Sequence, residues 1–442
     1  MIAPVLAVSS NLLRELVRRA SSYVFLLLVV VCAAVVPHVA SGESSLLMRL
    51  QLHVSYGIGL PVILIGIATV VLSAAALSRE VETRRTQLLV TKPIASWQIL
   101  AGKLLGLLVV VGALLCSVLC VFAVNVSLAG RGKGTNAREL ERVHLAFFTV
   151  RESFPVLRPH DDGPAGADGP EEKGDHPHPV NWLRARPGES LTLPFRVIPR
   201  SSGQNEFLRV IYRIYSSDPL GAPRLAVTWR ANPRSEDSAR VEQKALHGTP
   251  QEFYLPVSIL SPDGTLSLDL HNSMAADSGA VLLLNPTRVE VLSVCGRFWP
   301  NVLRVFLLIF GQLLLLSSLC LLGSAVFAFP TVTFLGLFLY TTALTSGFLQ
   351  ETFDLYTGVG HGSFHARNTL ELIAESMATL GSQVLGVLPD FTRLDPLGRL
   401  WSGRVLSSGE LLHVLAWAVG VKSLVAIWAA AWLFRRRELG ST

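Results

Sequence analysis

At 442 residues, half of them hydrophobic and only 16% charged, the chain is too apolar for a soluble globular protein and fits several membrane spans joined to one polar domain. Four of the five cysteines (Cys32, Cys116, Cys120, Cys295, Cys320) lie in apolar runs and none forms a CxxC pair, which argues against a disulfide framework or a zinc pattern. No GxxxxGK[ST] occurs, so the chain cannot cradle ATP phosphates by the P-loop route. No cofactor is expected, and ATP-driven work requires a partner.

In chain order, residues 1–21 place Leu12, Leu13, Leu16 and Val17 on one face with Arg14, Arg18 and Arg19 among them, the pattern of a short amphipathic helix lying on the inner leaflet. The apolar run that follows competes as a signal peptide. Another span succeeds it, however, and the preferred reading is an uncleaved first span from Ser22 to about Val39. A second span runs from Val54 to Leu77, with Gly57, Gly59, Pro61 and Gly66 in its first half, where a helix is easily kinked and closely packed. The third runs from Leu104 to Leu128; each is long enough for a bilayer core that needs about 20 residues.

Between the second and third spans lies a charged, Pro-broken loop, residues 78–103. Arg79, Arg84, Arg85, Lys92 and Lys103 outnumber Glu80 and Glu82 in it, which marks the cytoplasmic side. The acids suit the start of a short helix that Pro93 ends, and Leu88, Leu89 and Val90 give it an apolar patch.

From Gly130 to Arg297 no window is apolar enough to span. This insert, residues 130–298, holds 20 basic and 20 acidic residues, so it is no obvious binder of nucleic acid or anionic lipid. A Pro-, Gly- and acid-rich stretch around residues 159–179 precedes short runs with strand character: SLTLPFRVI, FLRVIYRIY, RLAVTWR, EFYLPV, TLSLDLHN, AVLLL and RVEVLSV. They are rich in β-branched and aromatic residues and separated by turn signals such as Pro187-Gly188 and Pro262-Asp263-Gly264. Seven or eight such strands predict a β-sandwich.

Residues 299–442 resume the membrane part, with a fourth span from Val302 to Val326, a fifth from Phe327 to Phe348 across a tight link, and a sixth from Leu411 to Phe434. In the loop 349–410, the stretch from Thr369 to Leu388 carries Glu371, Glu375 and Gln383, too polar for a lipid-facing span and better suited to a re-entrant or interfacial helix. With six spans and both termini cytoplasmic, segments 1–21, 78–103 and 435–442 carry +2, +3 and +2, whereas the loop 349–410 has four arginines against seven acids. That bias places residues 130–298 outside the cytoplasm of a multi-pass inner (plasma) membrane protein.

Candidate chemistry is sparse. His361 and His365, and His176 and His178, lack a third ligand at a recognised spacing, so no metal site is expected. No Gly-x-Ser-x-Gly or HExxH appears, and no catalytic residue is assigned. Lys422 lies mid-way along the sixth span, where a charge costs about 2.5–3.5 kcal/mol on insertion scales. It reads either as a lysine that snorkels or pairs with a carboxylate, or as a cation meeting an anionic headgroup in a translocation path.

The segment SREVETRRTQLLVTKPIASWQILAGKLLG, with its Ser-Arg-Glu opening, its Leu-Leu ahead of Lys92 and Pro93, then Trp97 and a Gly-Lys, resembles the first cytoplasmic loop of ABC transporter permeases of the type-2 export family. RELVRRASSYVFLLL resembles that family's interfacial helix and first span, LPDFTRLDPLGRL its outer segment before the last span, and LFRRRELG its Arg-rich end. The resemblance covers about residues 1–128 and 300–442 and leaves the insert out. It implies a permease, not itself an enzyme, whose coupling helix sits against a separate ABC ATPase subunit and which pairs with a second permease chain in the lipid bilayer. Carried onto this chain, the coupling residues are Arg79, Glu80, Glu82, Arg84, Leu88, Leu89, Lys92, Pro93 and Trp97. The stretch YLPVSILSPDGTLSLDLHN resembles jelly-roll sandwiches of the galactose-binding kind. The alternative reading is therefore a membrane-anchored envelope scaffold that presents a sugar-binding-like sandwich.

Overall fold

The structure, a computed structural model, describes residues 2–41, 46–82, 95–129, 148–156, 183–197, 207–217, 224–232, 239–261, 263–274, 281–359 and 396–439. The chain divides into two compact units, one helical and one built on Thr149–Gly296.

The helical unit opens with α1 (Ile2–Arg18) and α2 (Ala20–Ser41). Next come α3 (Leu46–Val54), a π-helical turn Ser55–Gly59, and α4 (Leu60–Glu82). α5 (Ser96–Ala129) closes the amino-terminal part. After the β unit follow α6 (Phe298–Val326), α7 (Phe329–Val359), α8 (Pro396–Trp401) and α9 (Ser408–His413). A second π-helical stretch, Val414–Val421, leads into α10 (Lys422–Leu439). Among the described residues five stretches are long and apolar enough to cross a membrane: Ser22–Ala40, Met48–Ser78, Ser96–Leu128, Phe298–Val326 and Ser408–Arg436. The expected fifth span falls on α7, whose apolar part, Phe329–Thr345, is shorter. The expected helix within Thr369–Leu388 lies outside the described residues.

In an apolar surrounding, small and hydroxyl-bearing residues let helices approach and bond across the gap. Ser324 Oγ donates to the Ala74 carbonyl at 3.3 Å and Ser78 Oγ to the Phe327 carbonyl at 3.4 Å, joining α4 to α6 and its outgoing turn. Asn125 Nδ2 reaches the Ala33 carbonyl at 3.2 Å, joining α5 to α2. The link between α6 and α7 is the tight turn expected.

The β unit contains β1 (Thr149–Pro155), β2 (Leu183–Ala185), β3 (Ser190–Arg196), β4 (Phe207–Ser216) and β5 (Arg224–Ala231). It continues with β6 (Ala239–Leu246), β7 (Pro250–Pro256), β8 (Thr265–Asn272), β9 (Leu282–Leu284) and β10 (Glu290–Arg297). One sheet runs β3–β8–β5–β6; the other runs β1–β10–β4–β9–β2, with β7 also on β4. β9 and β10 share one strand position. Leu284 faces Ile214 and Glu290 faces Ile211, so six steps along one strand answer three along the other, and the surplus is taken up around the 3-10 turn Pro286–Arg288. β1 and β2 likewise share the place beside them. With these merged the sheets read (β1/β2)–(β9/β10)–β4–β7 and β3–β8–β5–β6, the strand order of a jelly roll.

Both inner faces feed one core. Alternation along β4 and β8 buries Leu208, Val210, Tyr212 and Ile214 from one sheet, and Leu266, Leu268 and Leu270 from the other. Trp229 of β5 sits 4.8 Å from the Tyr212 ring and 5.6 Å from that of Phe253 on β7, bridging the layers. Each such large side chain, fully buried, stabilises by about 1.5–3 kcal/mol. Seven strands fall on the runs expected from sequence. β1, β2 and β6 fall outside those runs. β2 is only three residues long. β6 is an edge strand whose outward positions Arg240, Glu242 and Lys244 are exposed, the charge that blunts an open edge also masking its strand signal.

Candidate functional site

One end of the helical unit gathers the pieces expected to face the cytoplasm. A single apolar cluster unites Leu12 and Leu16 of α1, Ala76 and Leu77 of α4, Leu100 and Leu107 of α5, Leu321 and Ala325 of α6, and Ala430 and Phe434 of α10. The amphipathic helix, both flanks of the charged loop, the end of α6 and the base of the carboxy-terminal helix therefore share one packed floor.

α1 lies against α5 because α5 offers Gly102 and Gly106, four apart on one face. A β-carbon at Gly102 would stand 2.7 Å from both the Val5 carbonyl and Val8 Cβ, and one at Gly106 2.9 Å from Leu12 Cδ2. Backbones approach this closely only where small residues repeat every fourth position. Between the two glycines, Lys103 points the other way. It is buried, 2% exposed, and its Nζ donates to the Ala76 carbonyl of α4. By sequence Lys103 adds to the loop's positive charge; the structure makes it a clamp between the helices that flank the loop. An interior ammonium needs such oxygen partners.

The loop residues divide. Arg79, Glu80 and Glu82 lie on the last turn of α4. The acids thus end the second span's helix rather than begin a new one: no breaker separates Leu77 from Glu82, so hydrogen bonding runs past the apolar segment. Trp97 stands on the first turn of α5, 44% exposed. Arg84, Leu88, Leu89, Lys92 and Pro93 lie outside the described residues. Near the same floor Arg436 stacks over the Trp432 ring at 3.8 Å, a cation–π contact.

Lys422 opens α10 directly after the π-helical stretch. It is exposed and makes no ion pair with a described residue, so the carboxylate-pairing reading finds no described partner. Leu424, Val425 and Trp428 are exposed beside it.

The far end is held by polar contacts. Asn301 of α6 donates to the Arg404 carbonyl and accepts from the Leu406 amide, both at 2.9 Å. Arg399 of α8 grips Glu410 of α9 with two bonds of 2.8 Å. Such a fork is the stronger form of ion pair. There too the rings of His38 and His53 meet edge to face, 4.8 Å apart, each Nδ1 on a carbonyl of its own helix.

On the outward face of the larger sheet, Arg209 Nε binds Glu252 at 2.8 Å and the Tyr254 hydroxyl reaches the same carboxylate at 3.3 Å. Burial, and then the Arg209 charge, lowers the Arg151 guanidinium from its ordinary range, while burial raises the Tyr254 hydroxyl. Among the described residues no three His, Cys, Asp or Glu side chains gather as a metal cluster would require.

No curated protein matches the chain. Residues 7–150 match the family model described as ABC-2 family transporter protein. That match runs from α1 through α5 and takes in the charged loop. Together with the five apolar helices it supports a multi-pass membrane protein of ABC-2 permease type, the match covering about the first third of the chain and leaving nearly all of the β unit outside it.

Proposed function

We propose that this chain is the membrane-spanning permease subunit of an ATP-driven exporter, that a separate ABC ATPase docks on Glu80 to Trp97, and that a second permease chain completes the pathway. The observation that carries the reading is the shared floor: the two helices flanking the loop are clamped to each other and packed with α1, α6 and α10. A displacement of the loop is thereby delivered to most of the helical unit at once. ATP-driven closure of the ATPases would push the loop and tilt the helices behind it. The basic balance of the segments at this end supports a cytoplasmic position for it and an outer position for residues 130–298.

The sequence Leu88, Leu89, Val90 would give the ATPase an apolar contact, worth about 25 cal/mol per Å² before association costs, and Arg84 and Arg85 precede it in sequence. Leu89→Asp and Glu80→Lys are expected to release the ATPase or to uncouple its hydrolysis from transport, while the helical unit still folds. Co-purification and transport-linked hydrolysis in vesicles measure this; if both persist unchanged in the two variants, the loop is only a linker.

The jelly-roll strand order favours a second reading, an envelope scaffold whose spans merely hold a binding sandwich. Under that reading no ATPase accompanies the chain on purification.

A further inference from the structure

Beside the π-helical turn Ser55–Gly59, at the end of the second span opposite the charged loop, lies a cavity of about 430 Å³. Its walls are Leu60, Ile63 and Leu397, its floor passes Gly59, and Tyr56 and Trp401 stand half-exposed at its border. We propose that this cavity is a binding site for one acyl chain of a bilayer lipid. The site goes beyond the coupling and transport roles and does not rest on them.

Volume, chemistry and position agree on that occupant. The cavity falls within the roughly 300–1,000 Å³ typical of small-ligand sites. No charged side chain lines it, and the polar ones, Ser55 and Tyr56, are exposed rather than convergent on its interior. A drug-like or nucleotide ligand is oriented by a few placed polar groups; a chain of methylenes needs none. An apolar cavity is also a poor host for water. Its lining from Val54 to Ile63 belongs to a stretch able to cross the membrane, so a hydrocarbon chain has direct access. Tyr and Trp are the residues that sit at headgroup level, which suits Tyr56 and Trp401 flanking a chain whose head stays at the interface.

The backbone keeps the space open. The π turn carries one extra residue, a widening that recurs at functional sites, and position 59 has no side chain. A β-carbon there would meet Leu397 Cδ1 at 3.6 Å, an ordinary contact. Alanine therefore fits without closing the cavity, whereas leucine fills it.

The test uses the full chain in vesicles containing a phosphatidylcholine with a diazirine near the end of one acyl chain. After irradiation, adducts are mapped by mass spectrometry. Adducts are expected to concentrate on Leu60, Ile63 and Leu397 relative to Leu424 and Trp428, which are exposed on α10. Gly59→Ala should keep that enrichment and Gly59→Leu should abolish it, with labelling of Leu424 and Trp428 unchanged as the sign of intact insertion. Leu397→Trp fills the cavity from the opposite wall and should act as Gly59→Leu does, should the latter fail to fold. Adducts no more frequent at the cavity than on α10, or enrichment that survives both filling variants, would overturn the proposal.

Discussion

Tyr212 illustrates what a single buried hydroxyl does to the β unit. It is fully buried between the sheets, donates to Gln243 Oε1 and has its pKa pushed up to about 12 by burial. Below about pH 10 the folded and unfolded states both hold the proton, and the full stability is present. Between about pH 10 and about pH 12 only the unfolded chain ionises, so stability falls as pH rises, by roughly 2–3 kcal/mol over two units. Chemical denaturation of residues 130–298 across that range should show the loss, and Tyr212→Phe should flatten it by that amount; an identical slope in both proteins would remove Tyr212 from the account. Two asparagines act differently. Asn272, which ends β8, donates to the Ala185 carbonyl at 3.0 Å and accepts from the Met274 amide at 3.1 Å. Asn232, with φ +45°, bonds the Ile259 carbonyl at 2.6 Å and the Ser267 amide at 2.7 Å. The strand-ending Asn was visible in sequence; its partners, 87 and two residues away, were not.

At the scale of elements, the amphipathic pattern of α1 put Leu12, Leu13, Leu16 and Val17 on one face; the structure buries Leu12 and Leu16, leaves Leu13 half-buried and exposes Val17, and the pattern did not show the helix's seat. That is set by Gly102 and Gly106, whose four-residue spacing is weak by itself because apolar spans are rich in glycine. Gly102→Leu should lift α1 from α5, since the contact opposing the new side chain is the Val5 carbonyl, which cannot rotate away. The expected cost is about 1–3 kcal/mol. A cysteine pair at Val8 and Leu105 is no readout of this, because Leu105 is exposed; limited proteolysis at Arg14 and Arg18 is. Protection equal to that of the natural chain would refute the docking. Among the strands, β4 and β8 alternated cleanly and were plain, whereas β6 carries charge on its free face and was not.

For the molecule as a whole, the division into a helical and a β unit gives two expectations. Residues 130–298 expressed alone should give a β-type circular dichroism spectrum and one cooperative melt, because the core seen among the described residues is built from the inner faces of both sheets. A helical or unfolded spectrum would contradict this. The full chain purified alone should not hydrolyse ATP, having no P-loop, and should do so only with an ATPase subunit bound; hydrolysis by the chain alone would sink the permease reading.

Hydropathy and turn chemistry along the chain were enough to determine the membrane class, the interruption by a β-sandwich and most of the strands. These follow from local free energies: apolar runs that water rejects, alternation that fits a two-faced sheet, Pro and Gly where the chain must turn. The tertiary structure decided what depends on residues distant in sequence. It put α1, the flanks of the loop and the last helix on one floor, turned Lys103 from a loop charge into a clamp, carried α4 on through Glu82, and merged β9 with β10 to complete a jelly-roll order. It also left a cavity between Gly59 and Leu397. Close approach and enclosed space depend on which surfaces meet, and no single segment carries that information.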